Sequence, residues 1–288
     1  MYGLVSLLGA GLVMATLREL FHTIWHPTRR GGASRLVMSA LWHGSRRVRA
    51  RERMAALVGP LSMVAVMALW ASAIVAGWAL IYLPHMPEGF TFQSALEPSA
   101  RSNLLDSVYV SLVMVATLGL GDVTPNTGWL RVITPLEALV GFVLLSAVVS
   151  WVLGIYPALA RRRALALRLA LLREADPSAR RLDGPAGAAL LEGLTGEVIR
   201  VRVDFSQYAE GYFFHDGEPR TSLAAGIGYA VDLADRGRKA PDADVRLAAA
   251  MLAGALDDLA TVLDQRFLRT GGASHEVFAA YAADHGYG

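Results

Sequence analysis

The chain contains no cysteine, so neither a disulfide framework nor a thiolate metal site can exist. Charge is also scarce. Asp, Glu, Lys and Arg make up 18% of the 288 residues against 54% hydrophobic, with a positive mean hydropathy, which is a membrane protein's balance. Met1-Tyr2-Gly3 offers no basic region ahead of the first apolar run, so a cleaved signal peptide is not expected. No stretch reads as a strand followed by G-x-G-x-x-G, which excludes a Rossmann-type nucleotide regulator, and no EF-hand pattern is present. No span carries an arginine at every third residue, so there is no voltage sensor. No nucleophile with its base, metal-ligand set or phosphate loop can be assembled, so enzyme activity, an organic cofactor and a nucleic-acid partner are not expected.

What is present concentrates between residues 57 and 163. Leu57 to Leu83 is uncharged and long enough to cross a bilayer, and a second span runs from about Trp129 to Leu159 before Arg161-Arg162-Arg163. Between them, Asn103 to Ala116 is apolar but too short to cross, and it runs straight into Thr117-Leu118-Gly119-Leu120-Gly121-Asp122. Asn103 with Asp106 three residues on resembles an N-cap with an acidic N3 residue, which places a helix over 104–116. Such a half-length helix points the negative end of its dipole at the glycine-rich residues, where a cation would wait. Gly119 and Gly121 alternate with Leu118 and Leu120, and glycine enters the left-handed region at little cost. A ribbon of that kind turns its carbonyls to one side and can replace a cation's hydration shell. Thr117 would add a hydroxyl at one end, and Asp122 at the other can hydrogen-bond behind the ribbon. The letters T-x-G-x-G-D also occur in ordinary loops, so the flanking spans carry the reading of a selectivity filter.

With this order of elements, Leu57 to about Arg163 resembles the pore module of the prokaryotic two-transmembrane potassium channels, the ion-channel-2 type. The resemblance assigns an outer helix to 57–83, a turret to 84–103, a pore helix to 104–116, the filter to 117–122 and an inner helix to 129–159. It implies an all-α membrane protein whose pore is a homotetramer, since each chain supplies one filter strand. The implied permeant ion is K+, held by carbonyls of Thr117, Leu118, Gly119 and Leu120. Gly141 falls 24 residues after Thr117, where many such channels carry a hinge glycine; close packing against the pore helix is the other reading. Gly154 and Pro157 are further gating candidates near the inner end. Glu137, the carboxylate inside the second span, and Tyr109 are expected to support the filter, Glu137 by hydrogen-bonding pore-helix or filter backbone. Leu120 stands where the family commonly has Tyr, Ala116 where a second Thr is common, and Tyr109-Val110 where a Trp pair is common. A weakly selective monovalent cation channel therefore stays open as an alternative. From another class, so does a membrane-anchored scaffold or sensor.

On either side of the module the chain changes character. Residues 1–56 read as an N-terminal apolar helix over about 4–25, spanning or lying in the interface, and a basic cytoplasmic segment. That segment carries Arg29, Arg30, Arg35, Arg46, Arg47, Arg49, Arg51 and Arg53 with Trp42, which suits anionic lipid head groups with the indole at the boundary. His22 and His26 have the i, i+4 spacing of a metal pair, but nothing completes a site. Arginines flank the module on both sides, whereas the turret has Glu88, Glu97 and a single Arg, so the termini are expected in the cytoplasm of a multi-pass plasma-membrane protein. Residues 161–288 read as a soluble helical domain. Val201, Val203 and Phe205 allow a short strand, while Asp204, Glu210, His215, Asp216 and Glu218 read mainly as solvated carboxylates and loop ends.

Overall fold

The computed structural model describes residues 2–24, 32–46, 52–93, 102–175, 182 and 184–287. The expected lipid contacts of Arg29, Arg30, Arg47, Arg49 and Arg51, and residues 94–101 of the turret, lie outside the described residues. The helices are α1 (Tyr2–Ile24), α2 (Ala33–Arg46), α3 (Glu52–Tyr82), α4 (Asn103–Val115), α5 (Gly128–Ala175), α6 (Gly184–Gln207), α7 (Leu223–Gly237), α8 (Ala243–Leu263) and α9 (Ser274–Asp284). β1 (Phe90–Phe92) and β2 (Val123–Pro125) form a two-stranded antiparallel ribbon with Thr91 opposite Thr124. Among the described residues the fold is thus all-α apart from this ribbon. The chain divides into two compact units, one of residues 1–37 and 63–152, the other of 38–62 and 153–288.

In the first unit, α1, α3 and α5 are each long and apolar enough to cross a membrane. Helix α1 lies antiparallel to α3, because Ser6 donates to the Ile81 carbonyl while Val13 packs with Ile74. The two helices approach closely at Gly9 and Gly77. A Cβ on Gly9 would strike the Gly77 carbonyl, which is why this crossing needs glycine. The α1 segment therefore lies along a spanning helix. Beyond it, the Glu19 carboxylate accepts from the Ser34 amide at the start of α2 over 2.7 Å, satisfying one of the unpaired amides of that helix end. In α3 the small residues Ala68, Ser72 and Ala76 face outward, while Trp70, Ile74 and Trp78 are buried.

In the second unit, α6 and α8 form the centre. Leu191, Leu194, Val198 and Val201 keep a helical spacing that Phe205 extends, and all are buried with Leu252, Leu256 and Leu259. Because that spacing continues unbroken, Val201 to Phe205 is helical, and the strand alternative fails. Tyr212, Phe213 and Phe214 are core residues, with Tyr212 stacked on Phe267 at 4.1 Å. Trp42 belongs to the same cluster. It is 2% exposed, and its indole N–H donates to Asp284 at 2.9 Å, so it is a core anchor and not a residue of the lipid boundary. The indole N–H needs a partner once buried, and Asp284 supplies it.

Two expectations about α5 are corrected. The helix does not stop near residue 159 but continues to Ala175, 48 residues in all, through Gly154 and Pro157. Ala, Leu and Arg dominate 160–173, a composition of strong helix formers. The arginines at its lower turn are not left to solvent either. Arg161 makes a bidentate pair with Asp204 at 2.6 and 2.9 Å. Arg162, 3% exposed, reaches Asp216 and the Gly211 and Phe214 carbonyls, while Arg163 takes the other Asp216 oxygen. Asp204 and Asp216, expected to be solvated, are buried partners. Substituting Asp216 by Ala leaves the Arg162 guanidinium buried and short of its counter-charge, and should destabilise this unit by about 3–5 kcal/mol. A thermal unfolding midpoint of the full chain in detergent measures it.

A carboxylate also organises the turn after α8. The Asp264 carboxylate accepts from the Thr270 hydroxyl and from the Thr270 and Gly271 amides, and the Thr270 bonds hold its pKa below the usual carboxylate range. A lowered carboxylate contributes stability above its unfolded pKa of about 3.9 and loses it as pH falls through the folded value. Wild-type protein should therefore lose thermal stability between pH 5 and lower pH more steeply than Asp264→Asn, by roughly the effect of one linked proton.

Candidate functional site

The glycine-rich residues follow α4 directly. Helix α4 begins at Asn103 itself, whose side chain donates to the Met86 carbonyl instead of capping, while Ser102 takes the N-cap position. The last turn closes through the Ala116, Thr117 and Leu118 amides, which donate to Leu112, Met114 and Val113 carbonyls. From there φ is positive at Thr117 (57°), Gly119 (55°) and Gly121 (77°), but not at the two leucines. Alternation of this kind lets successive carbonyls share one side of a ribbon. Thr117 is the residue whose backbone the sequence does not announce, since a β-branched side chain is strained in the left-handed region. Leu118 and Leu120 are 63% and 59% exposed on the single chain.

The outer end of the ribbon is tied from two directions. The Tyr109 hydroxyl, from α4, donates to one oxygen of Asp122 at 2.5 Å, and the Val123 amide donates to the other at 3.0 Å. The Gln93 amide, one residue past β1, donates to the Asp122 carbonyl at 2.9 Å. Tyr109 and Asp122 are thus in direct contact.

Behind α4 sits Glu137, fully buried on α5. Its carboxyl meets the Ser111 hydroxyl of α4 and the Tyr82 hydroxyl of α3, each at 2.5 Å. The Ser111 oxygen also lies 3.1 Å from the Val75 carbonyl. Glu137 therefore bonds hydroxyls, not the pore-helix or filter backbone that the sequence suggested, because Ser111 and Tyr82 stand between it and those backbones. Ser111 and Tyr82 escape sequence reasoning. The one signal was a serine inside an apolar helix, since Tyr82 reads equally well as a boundary residue. One turn further along α5, Gly141 abuts the end of α4, and a Cβ there would collide with the Val115 carbonyl. Close packing is what this glycine provides in the structure, within an unbroken helix. Gly154 makes room for the Tyr208 ring in the same manner.

Residues 68–155, which hold the second half of α3, all of α4, the glycine-rich ribbon and the first part of α5, match the family described as "Ion channel" (Ion_trans_2). This segment is similar to that ion-channel family. A relative, the uncharacterized membrane protein YdjJ of Bacillus subtilis (strain 168), is 28% identical over 161 residues, 54% of this chain and 46% of the relative. The chain thus spans about half the length of that curated relative. No solved structure matches it. The match covers the elements around the ribbon, and α1, α2 and α6–α9 lie outside the matched residues.

Within the matched residues, the Glu137 cluster ties three helices through the Ser111 and Tyr82 hydroxyls and the Val75 carbonyl. Glu137→Ala would take its carboxylate acceptor from the buried Tyr82 hydroxyl, at about 1–3 kcal/mol, while Ser111 keeps the Val75 carbonyl. Glu137→Gln keeps one acceptor oxygen. The thermal midpoint of detergent-solubilised protein should fall for both, and by at least twice as much for Ala.

Proposed function

We propose that four copies of this chain assemble around one axis and conduct K+ passively. The reading rests on one observation above the others: a ribbon with positive φ at Thr117, Gly119 and Gly121, delivered by a short helix whose C-terminal end points at it. One chain supplies one ribbon, and a ring of carbonyls around an ion needs four. Ions would exchange water for the carbonyls of Thr117, Leu118, Gly119 and Leu120 and move on by mutual repulsion between neighbouring sites. Asp122, held by Tyr109, would keep the outer end upright, and Glu137 would fix α4 from behind. The match to the ion-channel family supports conduction as such, and the ribbon supports potassium as the ion. Positive charge at 29–53 and 161–163, against an outer loop carrying Glu88 and Glu97, supports a plasma-membrane orientation with the α6–α9 domain in the cytoplasm and anionic lipids at the basic segment.

A weakly selective monovalent cation channel is the second reading, favoured by Leu120, which has no hydroxyl to tie the middle of the ribbon to α4. On the potassium reading, the Tyr109 bond to Asp122 carries that task at the outer end. Flux through purified protein in liposomes separates these readings. Potassium-driven flux, abolished by Gly119→Asp, is expected, with sodium flux at least tenfold slower and the difference narrowed by Tyr109→Phe. Equal potassium and sodium flux would select the weakly selective reading, and flux untouched by Gly119→Asp would remove the ribbon from the ion path.

A further inference from the structure

From Leu153 onward, α5 presents two unlike faces, and both lie within the second unit. One is filled by its own chain: Ala158, Leu159, Arg162, Leu165 and Leu169 are all buried. The other is open and apolar. Leu153, Pro157, Ala160, Ala164, Leu167 and Leu171 are all exposed, Leu153 at 68%, Leu167 at 38% and Leu171 at 50%. Their spacing alternates strictly between four and three residues. A straight helix drifts only about 20° per heptad from a 3.5-residue repeat, so from Leu153 to Leu171 the stripe stays on one side and offers a helix of the same kind a single seam. Resting on the four-chain reading above, we propose that residues 160–171 of α5 form a parallel four-stranded coiled-coil stalk, with Ala160, Ala164, Leu167 and Leu171 facing the axis.

The charges beside the stripe fit this occupant. Written as a heptad with Pro157, Ala164 and Leu171 at a, and Ala160 and Leu167 at d, the flanking e and g positions hold Arg161, Arg163 and Arg168. Four copies would bring these like charges together, which would repel. Each is already paired within its own chain: Arg161 with Asp204, Arg163 with Asp216 and Arg168 with Glu197. Position f carries Arg162 and Leu169, the side turned into the chain's own core. The seam ends where Glu174 takes a d position and pairs with Arg220. Small residues at Ala160 and Ala164 allow a close approach, and Leu at 167 and 171 supplies the burial. Since side chains then fill the axis, ions that have passed the filter leave above Ala160, between neighbouring helices.

The chain has no cysteine, so introduced ones report contacts without background. Ala164→Cys, Leu167→Cys and Leu171→Cys, each in the full-length protein under mild oxidation, should give covalent dimers at least tenfold faster than Leu247→Cys, an exposed site on α8. Leu171→Asp should lower the temperature at which the assembly dissociates. These positions are exposed on the single chain, so each variant can be checked for an unchanged monomer fold. A tetramer by mass whose seam cysteines cross-link no faster than Leu247→Cys overturns the stalk and leaves the four-chain pore standing. A monomer by mass overturns both.

Discussion

A carboxyl group with no route to water, Glu137 on α5, is held by hydroxyls from α4 and α3, and the position of the candidate filter follows from it. An unpaired carboxyl in such a place would be costly, so the three helices are fixed relative to one another by the need to satisfy it. Gly141 then brings the α5 backbone against the last turn of α4, the turn that delivers Thr117. The short helix is thereby aimed by side-chain chemistry on one flank and by the absence of a side chain on the other.

The ribbon itself stores strain that its surroundings must hold. Thr117 adopts a backbone region that β-branched residues avoid, and it does so directly after the last hydrogen bonds of α4. Anchors at the far end, Tyr109 and Val123 on Asp122 and Gln93 on its carbonyl, keep the ribbon from relaxing into an ordinary turn. Potassium selectivity on this reading depends less on the identity of residue 120 than on whether these anchors keep the cage geometry.

In the second unit, pairing of charge organises the packing. Three successive arginines on α5 each find a carboxylate of the same chain, and Asp216 serves two of them. Neutralised in this way, the lower part of α5 can carry an apolar stripe on its opposite side without a field of like charge next to it. The Trp42 contact with Asp284 adds the second half of α2 to the same unit, so residues far apart in the chain share one core.

The sequence alone determined the spanning segments, the short helix, the glycine-rich ribbon and the helical character of the C-terminal residues. These are local properties: hydropathy over a helix length, a 3.6-residue period, and the conformational range of glycine at 119 and 121. Tertiary structure decided the rest. Whether Glu137 meets backbone or hydroxyls, whether Asp204 and Asp216 are solvated or buried, and whether Trp42 faces lipid or a protein core each depend on residues dozens to hundreds of positions away. The length of α5 belongs to the same class. A proline and a glycine near residue 157 read locally as a bend or an end, but a helix continues through them when the packing beyond, here Leu165, Leu169 and the paired arginines, outweighs the lost hydrogen bond.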